Sequence, residues 1–461
     1  MNEEARAEDG VGAIALSAYA LLTFALFRSD GYRDGLALLV IIAATALAAV
    51  GVLGRRSYRP PARLLLVALA VAQLVALGVG APGACLTPGT SLLPFRLGLL
   101  AALALVLLYL PRRGPAALLR FPLLLALFVA LGVWLLRASP APSIDVWHFQ
   151  RQAVELLLHL RNPYAATYPN IYAHGAPFDG RWLPGDVVSR IFLGGNLEDG
   201  RVVSHAYPPL SVLATVPGVA LGDPRWSQLA ALALTATLLI VIARRRGRPA
   251  GDVLELVAVL FLFHPRGFFL LEMSWTEPFL ALAAVALFVA VASRRWVATA
   301  LAAFVSMKQY AFLGVPALLG SGLVTLRQTR RAAALALAVA APFVLWNPAA
   351  FWRGVVSWQF RLDLRSDALT VPAWLLQSTG RTYLSEVLGL LAALLAVALT
   401  TLAVRRRPQQ PDAVALGTAV VFLALFLFHK QAFFNYYWFA GVLLLLSVAV
   451  GPTTPVVERV A

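Results

Sequence analysis

Long apolar blocks alternate with short polar breaks along nearly the whole chain. The blocks run approximately 11–27, 36–53, 62–80, 97–110, 119–137, 207–221, 226–243, 253–271, 277–293, 297–325, 331–346, 384–404, 412–429 and 433–450. Most are about 16–20 residues long, enough for a helix rising 1.5 Å per residue to cross a hydrocarbon core. The pattern predicts an all-α, polytopic transmembrane bundle of about 11–13 spans. Two blocks break the rule. Block 297–325 is interrupted by Ser306-Met307-Lys308-Gln309 and reads as two short helices meeting at a polar break. Block 207–221 is short and carries Pro208, Pro209, Pro217 and Gly218, so it reads as a re-entrant or interfacial segment.

The breaks divide into two kinds. One kind is short and rich in arginine: Arg55, Arg56, Arg59 and Arg63; Arg112, Arg113 and Arg120; Arg244, Arg245 and Arg246; Arg294 and Arg295; Arg327, Arg330 and Arg331; Arg405, Arg406 and Arg407. Clusters of this sort mark cytoplasmic loops. The acidic start MNEEARAED then falls on the cytoplasmic side, against the trend. It lacks the basic region of a secretory signal, so the first block is expected to stay as a helix. The other kind consists of two long loops, 138–206 and 347–383, both on the outer face and both rich in Trp, Tyr, Phe and Pro. Long loops in compact structures tend to carry function.

Composition agrees. Of 461 residues, 60% are hydrophobic and 13% charged, too few charges for a water-soluble globule. The net charge of +16 comes from arginines placed between spans, which excludes nucleic acid as the partner they serve. Cys85 is the one cysteine, so neither an intrachain disulfide nor a thiolate metal site is available. Only two of the 38 basic residues are lysines, Lys308 and Lys430, and each is followed by glutamine.

The candidate chemistry lies in the outer loops and the irregular blocks. After Ser143-Ile144, Asp145 opens a stretch with apolar residues at Val146, Phe149, Ala153, Leu156, Leu157 and Leu160, the spacing of an amphipathic surface helix. That helix is expected to stop at Asn162-Pro163-Tyr164. Asp145 is either an N-cap or a catalytic carboxylate at the mouth of a membrane cavity. Lys308, Lys430 and Arg266 are candidate phosphate ligands, with snorkelling at a helix end as the alternative. Trp352 and Trp358 read as an interfacial belt. Arg361 and Arg365 alternate with Asp363 and Asp367, as phosphate or carboxylate ligands or as surface ion pairs. Glu272 and Glu277 flank an outer turn as caps or supporting polar groups. Tyr164, Tyr168, Tyr172, Trp182 and Tyr207 could stack on sugar faces or pack the loop. His148, His174 and His205 share the first outer loop without a close metal-ligand spacing, so no metal or other cofactor is indicated.

The order of motifs resembles the GT-C glycosyltransferases, in particular their polyprenol-phosphate-mannose-dependent, alpha-mannosyltransferase-like branch. The likeness rests on Asp145, a short helix, Asn162-Pro163-Tyr164 and Tyr207-Pro208-Pro209-Leu210. It continues through Ser274-Trp275-Thr276-Glu277, Lys308-Gln309 and the run His429-Lys430-Gln431-Ala432-Phe433-Phe434-Asn435-Tyr436-Tyr437-Trp438, and covers about 119–450. It implies that Asp145 is the catalytic base. Around it stands a candidate substrate-binding set of Lys430, Lys308, Arg266, His205, Tyr207, Asn162, Tyr164, Gln431, Arg361, Arg365 and Glu277. It also implies a polyprenyl-phosphate sugar donor, a lipid or glycan acceptor, and a site on the outer face of the cell membrane. The family usually has one span before the Asp loop, whereas this chain has five. Residues 1–110 are therefore expected to form a four-helix extension of unassigned role, and 111–461 the core.

The chemistry fits independently. A phosphate leaving group departs as an anion and needs little protonation, so one carboxylate to take the acceptor proton and cations to hold the phosphate are sufficient. Attack opposite the phosphate inverts the anomeric centre. No Walker loop, dinucleotide fingerprint or nucleophile elbow is present, which favours a lipid-linked donor over a nucleotide sugar. The competing expectations are a transporter or flippase of lipid-linked sugars, and a surface-glycan polymerase or ligase.

Overall fold

The computed structural model describes residues 11–54, 61–110, 118–178, 181–245, 252–380 and 385–451. Arg55, Arg56, Arg59, Arg112, Arg113, Arg246 and the acidic first residues lie outside them. Five apolar helices come first: α1 (Val11–Ser29), α2 (Gly35–Leu53), α3 (Arg63–Val79), α4 (Leu93–Leu107) and α5 (Arg120–Ala138). The α1–α2 turn is tight, and Asp34 caps α2 by accepting the Ala37 N–H at 2.8 Å.

The first long connecting segment folds as α6 (Asp145–Leu158), α7 (Gly185–Leu193) and five strands of two or three residues: β1 (Thr167–Tyr168), β2 (Ala176–Phe178), β3 (Arg181–Leu183), β4 (Leu197–Glu198) and β5 (Arg201–Val203). They pair antiparallel in the order β1-β5-β4, with β2-β3 as a separate hairpin. Strands this short leave no readable alternation, so an all-helical expectation missed them. The amphipathic helix is present, with Val146, Phe149, Ala153 and Leu156 buried. It ends before the proline signal. Leu160 turns left-handed at φ 54°, the Arg161 N–H closes on the Leu156 carbonyl at 2.8 Å, and the Leu160 side chain points outward.

Next come α8 (Pro209–Ala220), α9 (Arg225–Arg245), α10 (Asp252–Leu262), α11 (Gly267–Glu272), α12 (Glu277–Ser293), α13 (Val297–Met307), α14 (Val315–Gly320) and α15 (Leu326–Trp346). At 12 residues, α8 is too short to cross a bilayer, as its prolines suggested. The single block 253–271 is two helices, because Pro265 removes a ladder donor and its ring disfavours helix at His264. The polar break at Lys308 is real. Lys308 is extended (φ −144°, ψ 145°) and ends α13, and a 3-10 turn over Ala311–Gly314 leads into α14. The chain then runs back toward its starting side, where the Gln409 N–H bonds the Ser321 carbonyl at 2.9 Å, just beyond Arg405, Arg406 and Arg407. So α13 and α14 form a hairpin with Lys308 near its tip.

The second long connecting segment holds α16 (Pro348–Phe351), a π-turn over Trp352–Ser357, α17 (Trp358–Arg361) and α18 (Val371–Thr379). Three long helices close the fold: α19 (Ser385–Arg405), α20 (Pro411–Phe428) and α21 (Phe434–Val450). Among the described residues, seven helices are long and apolar enough to cross a membrane, namely α1, α2, α5, α9, α15, α19 and α20. The chain is a multi-pass membrane protein built as a helical bundle. Of its span-length residues, α15 buries 11% and α20 buries 83%, so α15 lies at the periphery and α20 at the centre. The first two helices belong to that centre: α1 packs on α21, and α2 on α20. At the arginine-rich end, Asp252 at the start of α10 accepts from Arg63 (3.0 Å) and Arg120 (2.8 Å), tying α3 and α5 to α10.

Candidate functional site

At the opposite end of the bundle, beneath the two long connecting segments, lies a cavity of about 480 Å³. Asp145 stands in its wall. Ile144 is extended and occupies the N-cap position without a side-chain bond, so Asp145 is the first helical residue rather than the cap. Its Oδ1 accepts the neighbouring Val146 N–H at 2.8 Å. Burial raises its pKa above the usual carboxylate value, against the opposing pull of that N–H and of the Arg365 guanidinium.

The helix that carries Asp145 is held by a buried amide cluster. Gln150 Nε2 donates to the Ser274 carbonyl (2.9 Å), and Gln228 Nε2 donates to that same carbonyl (2.8 Å) and to Gln150 Oε1 (3.1 Å). Ser274 can face both because it sits left-handed at φ 56° in the α11–α12 turn. The cluster locks α6 to α9 and to that turn.

Three cations line the cavity with Asp145: Lys308, Arg365 and Lys430. Lys308 Nζ lies 2.7 Å from the buried Glu277 Oε1, which also accepts from Asn435 Nδ2 at 2.9 Å. The same ammonium lies 5.2–5.8 Å from the ring centroids of Tyr436, Tyr207 and Tyr310. Arg365 is paired with Asp367, both side chains 10% exposed, and lies over the Phe192 (4.1 Å) and Phe433 (4.5 Å) rings. Lys430 Nζ reaches the Phe360 carbonyl at 3.4 Å. Next to Lys308, Gln309 donates to the Ala206 (2.8 Å) and Val355 (3.1 Å) carbonyls, joining the hairpin tip to both long connecting segments. The remaining wall is apolar, from Phe312 and Leu313 before α14, Leu390 and Ala393 on α19, and Leu425 and Phe426 on α20. Phe312 and Leu390 are more than half exposed.

Of the residues singled out from sequence, Asp145, Lys308, Lys430, Arg365, Tyr207 and Gln431 meet around this cavity. Glu277 stands behind Lys308. Tyr172 also lines the cavity, and several others lie elsewhere. Arg266 is not in the cavity lining and pairs with Asp30, which is. Asn162 caps the turn after α6 by accepting the Tyr164 N–H at 2.9 Å, and the Tyr164 hydroxyl donates to the Tyr207 carbonyl at 2.8 Å. Both therefore shape the loop behind the wall. His205 is buried among Tyr164, Tyr168 and Tyr207, and burial pushes its pKa down to about 3. Arg361 is exposed and reaches only the Gly195 carbonyl at 3.5 Å. Trp358, expected in an interfacial belt, is buried and lines the cavity because the π-turn before it re-aims the chain; Trp352 is exposed.

Sequence reasoning missed Asp30, Tyr32, Phe192 and Tyr310 as cavity residues. Asp30 and Tyr32 come from the short α1–α2 turn, which carries no motif. Tyr310 lies two residues beyond the break at Lys308, and its polarity inside an apolar block was the available signal. Among the described residues no group of three or more His, Cys, Asp or Glu side chains is arranged to hold a metal.

No protein-family model, curated protein or solved structure matches the chain. The functional reading therefore rests on the geometry of the site.

Proposed function

We propose that the protein is a membrane glycosyltransferase that moves a hexose from a polyprenyl-phosphate donor to a lipid or glycan acceptor, with Asp145 as general base. The observation that carries this reading is that the Asp145 carboxylate and three cations line one aromatic cavity with an apolar side wall, while the second carboxylate there, Asp30, is paired with Arg266. The acceptor hydroxyl would give its proton to Asp145 as its oxygen bonds the anomeric carbon. The carbon–oxygen bond to phosphate would break in the same step, with inversion. Lys308, Arg365 and Lys430 would hold the departing phosphate, and the apolar wall its lipid tail. A raised Asp145 pKa suits a base that must take a proton and then release it. The motif order shared with GT-C enzymes favours mannose as the sugar.

In this reading the chain crosses the cell membrane about twelve times, through α1–α5, α9, the α10–α11 pair, α12, α15 and α19–α21. The α13–α14 hairpin enters and leaves on the cytoplasmic side, and the cavity faces out.

The test is transfer from radiolabelled polyprenyl-phosphate mannose to extracted envelope lipids and glycans in proteoliposomes. The wild type should transfer sugar, and Asp145→Asn should insert normally and transfer none. Full activity in that variant would overturn the assignment of the base. Lipid scrambling without transfer would identify a flippase, and use of an oligosaccharide-diphosphate donor alone a polymerase or ligase.

A further inference from the structure

The first two helices have a task that their sequence does not advertise. Their turn pairs with the strap 362–370, which crosses the cavity from α17 to α18. The Arg33 N–H donates to the Asp367 carbonyl at 2.9 Å, and Arg33 Nη1 donates to the Ser366 carbonyl at 2.6 Å. Tyr32 and Ala368 form an antiparallel bridge, and the Tyr32 and Phe433 rings meet edge-on at 5.9 Å. From the other side the α20–α21 loop grips the same strap. The Arg365 N–H bonds the Lys430 carbonyl, and the Leu369 N–H bonds the Ala432 carbonyl, each at 3.1 Å. The strap is thus the middle of three paired segments.

Arg365 projects from this strap into the cavity. Its guanidinium is steered locally by Asp367, whose own carbonyl is one of the two that Arg33 holds. Arg33 lines no part of the cavity. We propose that Arg33 is a positioning residue: the α1–α2 turn fixes the strap so that Arg365 faces Asp145, making the N-terminal hairpin a working part of the site. Insofar as Arg365 grips the donor phosphate, the proposal rests on the glycosyltransferase reading; the mechanical link does not.

Two measurements on the full chain in nanodiscs test it. Hydrogen exchange of 362–370 should quicken in Arg33→Ala, leave α19 and α20 unchanged, and return toward wild type in Arg33→Lys, which keeps a donor on a long stem. For transfer from polyprenyl-phosphate mannose, Arg33→Ala should raise KM about tenfold with kcat within about twofold, as expected when the guanidinium's hold on the strap carbonyl is lost. Arg33→Lys should recover part of the loss. Unchanged strap exchange, or an equal fall in kcat with KM unmoved, would overturn the proposal. A wild type that transfers no sugar would defeat the enzymatic reading alone, and exchange would still decide the link between Arg33 and the strap.

Discussion

Lys308 and Glu277 form a buried ion pair, Nζ to Oε1 2.7 Å, where the tip of the α13–α14 hairpin meets the first turn of α12. Asn435 donates to the same carboxylate oxygen, and three tyrosine rings surround the ammonium. Removing one partner of such a pair strands the other charge, a loss of about 3–5 kcal/mol, whereas removing both is far less damaging. Glu277→Gln and Lys308→Met should each lower the thermal midpoint in detergent sharply. The double variant should recover most of that loss yet remain inactive in transfer, since one of the proposed phosphate-binding cations is gone. A double variant no more stable than the weaker single one would refute the coupling.

Asp145 gives the proposed enzyme a defined acid limb. Burial raises its pKa, and Arg365 restrains the rise. A base works deprotonated, so kcat/KM should climb as pH rises through the Asp145 pKa, with a midpoint above the ordinary value of about 3.9. Arg365→Gln removes the restraint, so its acid limb should move to still higher pH, apart from any loss of donor binding. A pH–rate profile that stays put or shifts to lower pH in that variant would contradict the pairing of these groups across the cavity.

His205 makes stability depend on pH in the opposite way from an ion-paired histidine. It is fully buried, and neither ring nitrogen has a hydrogen-bond partner among the described residues. With its folded pKa near 3 and an unfolded value of 6.5, the unfolded chain binds the extra proton between those limits. Its contribution is therefore whole above pH 6.5 and declines as pH falls toward 3. At pH 5 the loss is about 2 kcal/mol. His205→Phe keeps the aromatic cluster and removes the proton site. Its melting temperature should change less between pH 7.5 and pH 5 than that of the wild type; equal slopes would count against the idea.

Gln150 ties the proposed base to the bundle. Gln150→Leu takes a donor from the Ser274 carbonyl and leaves Gln228 with one acceptor fewer. The expected cost is about 1–3 kcal/mol for disrupting a buried polar cluster. Transfer should fall in the same variant because α6 loses its register against the α11–α12 turn. Activity at the wild-type level, measured below the melting transition, would mean that α6 is held by its apolar face alone.

Much of this architecture is legible in the chain. Apolar length and arginine placement predict a multi-pass bundle, and Ser306-Met307-Lys308-Gln309 marks the broken hairpin. Prolines flag α8 as too irregular to span. Polar residues inside or beside apolar blocks are costly to bury, so Asp145, Lys308 and Lys430 stand out from their neighbours in the sequence alone. The five short strands do not, because two or three residues carry no period. Nor does the break at His264-Pro265, which a count of apolar length over 253–271 passes over although Pro265 causes it.

The sequence by itself therefore determined where helices form, which ends are basic, and which polar side chains sit in apolar surroundings. These are local properties, set by hydrophobic length, charge and backbone stereochemistry. Only the tertiary structure decided which of those side chains meet. It placed Arg266 with Asp30 and His205 among tyrosines, turned Trp358 inward, and brought Tyr32 and Arg33 to a strap more than 300 residues away in the chain. Pairings at that separation depend on how helices pack in three dimensions, and one chain read in order holds no local record of them.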